Sequence, residues 1–509
     1  MGNTNRFFQL AVWAAFTAGS GMVLAAEPAA DGRKPGTNFV IVLADDLGYG
    51  DLSCFGSKEV HTPNLDRFAS EGLRFTDCYA SAPNCSPSRA GLMTGRTPYR
   101  VGIHNWIPMD SPMHVRRSEI TIATLLRRAG YTTCHVGKWH LNGRFNKPDQ
   151  PQPSDHGFDH WFSTQNNALP CHRNPDNFVR NGQPVGRLEG FSAQLVVDEA
   201  VRWLRSIRDP RKPFFLFVCF HEPHEPIATD HRFTQLYPSR GKPSPFDPDV
   251  SSYQAHHGNI TQMDDAFGRL MRTLDELGLR NNTFVFFTSD NGPAITHWHP
   301  HGSAGPLRDK KGSLYEGGIR VPGILRWPGH VRPGEVTREP ICGVDLLPTL
   351  CQIAEVPVPS DRAMDGASIL PVLEGRPIER TTPLYWQFNY AHSEPKVAIR
   401  MGDWKLLARL NPTPPRPGIE FRNNDMTILK TAKLEGFELY NLRDDIRETT
   451  DLAEQQPERL QRMVEVLRRK YQEVRKESPV WPAWTWPRYE GQRIRKFREE
   501  LRRRAQAGR

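Results

Sequence analysis

No CxxC pair occurs among the eight cysteines of this 509-residue chain, which argues against a thioredoxin-type redox site or a ribbon-type zinc site. If Cys85 is consumed chemically, seven thiols remain, so the sequence specifies no bridge pattern. Cys219, inside the apolar run 214–220, reads as core. Internal repeats and heptad arrays are lacking, which argues against solenoids and coiled coils. Beyond the first 26 residues no apolar run reaches the length of a membrane span, so no stable span is expected in a mature chain. The basic stretch 491–509 has a single aromatic, Phe497, and no recognisable nucleic-acid fold. It carries eight Lys or Arg against two Glu, supplying most of the formal net charge of +9. It therefore reads as a solvated helix end, and nucleic acid is not an expected partner.

The first residues have the order of a secretory signal peptide. Arg6 precedes the apolar stretch Phe7 to Leu24, and the small residues Ala25 and Ala26 then give way to Glu27. Residues 1–26 are expected to direct the protein to the periplasm or the exterior. The composition, 38% hydrophobic and 24% charged, is that of a globular enzyme, and the length favours a large domain with a smaller companion.

The run NFVIVL (38–43) is continuously apolar and β-branched, the mark of a strand covered on both faces, and it ends at Asp45 and Asp46. Helices are expected from Pro63 to Ala69, Glu119 to Ala129, Ala193 to Ile207 and Tyr253 to Leu277. They alternate with strands at 131–136, 214–220 and 283–288. The pattern predicts an α/β fold with a mainly parallel sheet flanked by helices. Four strands end in DD, GKWH, HEPH and SDN, and ligands in such sheets bind beyond the carboxyl ends of the strands. After about Gly375 the pattern changes to short strands at 384–388, 396–401, 404–408 and 437–440 and a helix over 457–474, a smaller α+β unit. The expected boundaries are 35–375, 376–490 and the tail 491–509, with a loop over 411–422.

Asp45, Asp46, Asp290 and Asn291 offer only oxygen ligands, which suits calcium or magnesium better than zinc. Each acidic pair alone would read as a cap or turn. Cys85 directly precedes a helix start with Pro87 in its first turn, where unpaired N–H groups face any bound anion, although a buried structural cysteine fits the same local pattern. Lys138 and Lys311 would alone be surface groups, and His140 and His224 would alone be structural. The cluster His297, His299 and His301 has spacing too short for a convincing metal site and reads as a pocket rim. The stretch 155–162, with Gln165, Asn166, Asn167, His172 and Arg173, suits either a sugar contact or a plain loop.

The segment Cys85-Ser86-Pro87-Ser88-Arg89, followed by Leu92, Thr94, Gly95 and Arg96, resembles the signature C-x-P-S-R-x-x-L-x-T-G-R of the type I sulfatases. Family blocks appear in order from about Asn38 to Tyr440. The resemblance implies an alkaline-phosphatase-like fold and hydrolysis of a sulfate monoester, with a sulfated carbohydrate or an aryl sulfate as substrate. It implies that Cys85 becomes formylglycine through a formylglycine-generating enzyme acting before folding. It further implies one Ca²⁺ bound by Asp45, Asp46, Asp290, Asn291 and residue 85, with Mg²⁺ as the alternative. Arg89, Lys138 and Lys311 would supply positive charge. The hydrated aldehyde would attack sulfur to give a covalent sulfate ester, His224 with Lys311 would assist the leaving alcohol, and His140 would release sulfate. Two rival readings stay open. One is a phosphodiesterase or phosphonate monoester hydrolase of the same superfamily, and the other is a non-catalytic binder of sulfated glycans.

Overall fold

The continuous apolar run NFVIVL is explained by the two covered faces of the sheet it enters. The computed structural model describes residues 36–413, 420 and 425–507, together with the first two, so all of the expected signal peptide but its first two residues lies outside the described residues, as does most of the expected loop over 411–422. Gly36–Arg509 forms one unit. Strand β1 (Asn38–Asp45) turns Phe39, Ile41 and Leu43 to one side and Val40, Val42 and Ala44 to the other. Both sides are buried, as a central strand of a parallel sheet requires.

The other principal elements of the sheet layer follow in chain order. They are α1 (Pro63–Ser70), β2 (Leu73–Tyr79), α2 (Cys85–Thr94), α3 (Ile122–Arg128), β3 (Thr132–Lys138), β4 (His160–Thr164), α4 (Ser192–Arg202), β5 (Phe214–Pro223), α5 (Ser252–Glu276), β6 (Thr283–Ser289) and β7 (Arg320–Arg326). The eleven-stranded sheet carries the central order β2-β7-β6-β1-β5-β3-β4, extended by short strands at both edges. The run from β6 to β4 is parallel, whereas β7 pairs antiparallel with both β6 and β2. Helices α1, α4 and α5 cover the face bearing Val40 and Val42. On the other face α2, α3 and the short helix Leu346–Ile353 join the C-terminal part in one core.

The C-terminal part is an antiparallel sheet of β8 (Leu384–Gln387), β9 (Val397–Met401), β10 (Trp404–Asn411) and β11 (Lys433–Asn441), crossed by α6 (Pro457–Glu477). Buried ion pairs tie it to the large sheet. Lys405 Nζ lies 2.8 Å from Glu316 and 2.9 Å from Glu448, and Arg400 pairs with Asp77 at 2.8 Å. A final helix, α7 (Tyr489–Ala507), follows.

Several boundaries differ from expectation for local reasons. Helix α3 begins at Ile122 rather than Glu119 because Thr121 caps it, its hydroxyl accepting from the Thr124 N–H at 3.1 Å, while Glu119 is held by Arg96 and Arg116. Strand β11 starts four residues before Phe437 because Leu434 pairs with Leu410 across the sheet. The described part of the basic tail is helical and, over 491–504, mostly exposed, but it is not simply solvated. Ile494 and Phe497 pack against Cys171, Ala228 and Phe246, and Arg498 lies over Trp298, 4.0 Å from the ring centre. All eight cysteines are free.

Candidate active site

Parallel pairing brings the carboxyl ends of β1, β3, β5 and β6 to one edge. Ala44 lies opposite Ser289, so Asp45 and Asp46 leave β1 beside Asp290 and Asn291 leaving β6. Asp46 adopts a positive φ of 65°, a conformation that Asp tolerates better than most residues. This bend lets its N–H donate to Asp290 Oδ1 at 3.2 Å, while the Leu47 N–H donates to Ser289 Oγ at 3.0 Å. The turn is therefore fixed from both strands.

Cys85 opens α2, a helix whose ten residues are all buried. Asn84 is its N-cap. The Asn84 side-chain carbonyl oxygen accepts from the Cys85 N–H at 2.9 Å and from the Cys85 thiol at 3.3 Å. One turn on, Arg89 donates through Nε to Asp290 Oδ2 at 2.9 Å and through Nη1 to the Lys138 carbonyl at 2.8 Å, and its Nη2 lies in ion-pair contact with the same Asp290 oxygen at 2.8 Å. Arg89 thereby joins α2 to the ends of β6 and β3. Burial pushes the Cys85 thiol up, and Lys138 and Lys311 only partly offset it.

The remaining cations reach the same carboxylates. Lys138 Nζ donates to Asp45 Oδ2 at 2.6 Å, and Lys311 Nζ meets Asp46 Oδ1 at 2.6 Å, an oxygen that also accepts from Asn291 Nδ2 at 2.7 Å. Burial favours the protonated acid at Asp45, yet Lys138 and the other nearby cations outweigh it and the carboxyl stays below its ordinary range. Burial opposes the charge on Lys311, but Asp46 and the neighbouring acids outweigh it and the ammonium is held well above the ordinary lysine range. Asp290 behaves differently: burial, then the neighbouring Asp45, leave its carboxyl raised.

At the ends of β1 and β6, three buried oxygens have no hydrogen-bond partner: Asp45 Oδ1, Asp46 Oδ2 and Asn291 Oδ1. Buried carboxylate oxygens left this way are costly, and an all-oxygen donor set fits a hard divalent cation. Asp45, Asp46 and His224 also form a group whose ligand atoms lie within 4.8 Å of one another, and His224 Nε2 stands 3.5 Å from Asp46 Oδ2. The residues present therefore fit a calcium or magnesium ion.

The two histidines differ in setting. His140, at a positive φ of 55°, is buried with its Nε2 3.1 Å from the Ile107 carbonyl and its Nδ1 unpartnered. A carbonyl accepts only, so Nε2 carries the proton and Nδ1 is the free acceptor. Burial first, then Lys138 and Arg89, push its pKa well below the ordinary value. His224 is partly exposed and its Nδ1 donates to the Glu225 carbonyl, which leaves Nε2 as the ring nitrogen that faces Asp46 Oδ2.

Every residue expected at the site is thus brought to one edge of the sheet. Sequence reasoning missed Asn84 and the Ile107 carbonyl. An Asn directly before a helix start is a readable N-cap signal, whereas a main-chain carbonyl leaves no trace in a sequence. His221 is buried with Nε2 2.8 Å from Thr164 Oγ1. Of the loop residues that suit sugar contacts, most hold the loop itself. Gln165 donates to the Ile107 and Asn142 carbonyls, Asn166 donates to Glu490, and His172 is buried beside Glu222. Within 155–162, Phe158 is core and Asp155 closes a turn. In the 297–301 cluster, His299 pairs with Glu225 at 3.0 Å and His301 with Ser252 at 2.9 Å. These rings do not converge on a common point within metal-binding reach among the described residues.

The sulfatase family model matches residues 37–356, and the model for the C-terminal part of N-sulphoglucosamine sulphohydrolase matches residues 307–413. N-acetylgalactosamine-6-sulfatase of Rattus norvegicus is 36% identical over 406 residues, covering 74% of this chain and 72% of the relative. Arylsulfatase A of Homo sapiens is 36% identical over 392 residues, covering 72% of this chain and 74% of the relative. Among solved structures, Ps i-CgsB superposes with a TM-score of 0.73 at 27% identity, over 91% of this chain and 97% of that one. It has also been solved in complex with k-i-k-neocarrahexaose. The fold and its polar edge define a hydrolase of the alkaline-phosphatase-like class. The chain belongs to the sulfatase family, the sulfuric ester hydrolases.

Proposed function

We propose that this sulfatase removes sulfate from a sulfated carbohydrate, with residue 85 as nucleophile beside a divalent cation. The observation that carries the reading is the set of three unpartnered oxygens of Asp45, Asp46 and Asn291, ringed by Arg89, Lys138 and Lys311 next to the N-terminus of the helix that Cys85 opens. Three carboxylates balance three cations there, so a bound dication leaves the pocket net positive and ready for an ester anion. When present, formylglycine at position 85 supplies a hydrated aldehyde as nucleophile, and calcium supplies charge that acidifies it.

The chain's own residues orient and move protons. Arg89 fixes Asp290, while Lys138 and Lys311 present ammonium groups to the sulfate oxygens. His140 Nδ1, neutral and without a partner, takes the proton whose loss frees sulfate. His224, acting as the imidazolium, gives its Nε2 proton to the departing alcohol oxygen at the more exposed side and keeps its Nδ1 proton on the Glu225 carbonyl. Cys85 is 2% exposed in the folded protein, which supports oxidation by a formylglycine-generating enzyme before folding. Residues 1–26 support a secreted or periplasmic location.

The carbohydrate reading draws on the N-acetylgalactosamine-6-sulfatase relatives and on the oligosaccharide complex of Ps i-CgsB. Mass analysis of the peptide containing Cys85, from protein made in its host, tests the nucleophile. A formylglycine mass is expected, and a wholly unmodified thiol in active protein would refute it. Release of free sulfate from sulfated sugars tests the substrate class.

A further inference from the structure

Beyond the pocket, a groove of about 650 Å³ opens beside the loop that carries the backbone of His140. Its lining includes Arg144, Phe145, Asn146, Lys147, Gln165 and Tyr489. Gln165 joins it to the catalytic centre. The His140 N–H donates to the Gln165 carbonyl at 2.7 Å, and the Gln165 amide donates to the same Ile107 carbonyl that holds the His140 ring. Trp106, partly exposed, stands 6.3 Å from the His140 ring and 5.4 Å from Trp486, and Arg488 lies over Trp486. The His140 ring therefore has the groove-lining Gln165 on one side and, through Trp106, the C-terminal segment that carries Trp486 on the other.

The far wall comes from the C-terminal segment, beyond the residues that either family model matches. It is held in place. Glu490, buried, accepts from Asn166 Nδ2 at 2.9 Å, and Arg493 pairs with Asp176. Tyr489 is left 53% exposed at the groove. Charge in the groove is nearly balanced, because Asp149 (2.5 Å) and Asp110 (3.4 Å) face Arg144. An aromatic, amide-bearing and nearly neutral wall suits sugar rings rather than a second cluster of sulfates.

We infer that the groove bounded by Lys147 and Tyr489 binds the sugars adjoining the sulfated residue, so that the enzyme's substrate is an oligosaccharide rather than a monosaccharide. This rests on the carbohydrate reading above. The test uses inhibition of 4-nitrophenyl sulfate turnover, which reads groove occupancy whether or not the sugar is cleaved. The probes are chondroitin 6-sulfate and κ-carrageenan hexasaccharides and their sulfated monosaccharides. At least one hexasaccharide is expected to inhibit more tightly than its monosaccharide. Tyr489→Ala should remove roughly threefold to tenfold of that advantage, the share of one aromatic contact, and Tyr489→Trp should retain it. Neither variant should change kcat/KM for the aryl sulfate.

Equal inhibition at both lengths, or none by either, overturns the groove. So does a length advantage that Tyr489→Ala leaves intact, or a parallel fall in aryl sulfate turnover, which would mean the segment acts on the catalytic residues. Sulfate release is scored separately. Length-dependent inhibition without release would keep the groove and refute the carbohydrate substrate.

Discussion

Two of the buried clusters of carboxylates and cations in this molecule are finished to different degrees. Around Asp365 the set is closed. Its oxygens accept from the Thr97 N–H at 2.7 Å, Arg100 Nε at 3.0 Å and Lys470 Nζ at 2.5 Å, which joins α6 to the chain following α2. At the sheet edge Asp45, Asp46 and Asn291 each keep one buried oxygen without a hydrogen-bond partner, although three cations stand nearby. A closed network is complete within the chain, whereas an open one calls for a ligand that the chain does not encode. The contrast separates a structural brace from the proposed reaction centre even though both consist of the same residue types.

Replacing Cys85 with Ala should break one side of the comparison most sharply. Turnover is expected to fall to background while the melting temperature stays unchanged, because the side chain is small and supplies chemistry rather than core. Residual turnover near wild type would contradict the nucleophile. Asp365→Ala should do the reverse. Removing one partner of a buried ion pair costs about 3–5 kcal/mol, so denaturant unfolding should shift strongly, with calcium affinity and kcat of the folded fraction preserved. A loss of calcium affinity there would merge the two clusters.

Much of the reaction centre is legible in the sequence because it sits in runs with strong local meaning. NFVIVL ends in Asp45 and Asp46, FFTSDN ends in Asp290 and Asn291, and parallel pairing of such strands must place their ends together. The helix opened by Cys85 is marked by Pro87 and closed by Gly95, which adopts the left-handed φ of 66° that its place at the helix end requires. What a sequence hides depends on distant partners. Glu119 has the look of a first helical turn and instead serves Arg96 and Arg116. The C-terminal tail reads as a solvated charge run because its apolar pair, Ile494 and Phe497, gains meaning only from Phe246, some 250 residues earlier in the chain. Gln165 and His172 have the chemistry of ligand contacts, yet backbone carbonyls and Glu222 claim them, and no sequence spacing records that competition.

Removal of divalent ions sharpens the comparison less violently. A chelator should abolish activity and lower the melting temperature modestly, since Asp45, Asp46 and Asp290 then repel one another without the ion, and calcium should restore both. Retained activity after exhaustive chelation would refute the cation. Smallest of all, Asn84→Ala should cost roughly 1 kcal/mol, the usual value of an N-cap, with a reduced kcat because the residue also holds the Cys85 N–H and side chain. A stability loss with kcat untouched would make Asn84 a cap alone.

The central claim is that residue 85 and a hard divalent cation share one pocket. Anomalous diffraction from crystals grown with calcium reads this directly. The account requires a single strong peak within about 2.3–2.6 Å of oxygens from Asp45, Asp46 and Asn291, adjacent to an oxidised side chain at position 85. A peak elsewhere, or an empty pocket in active crystals, would contradict it.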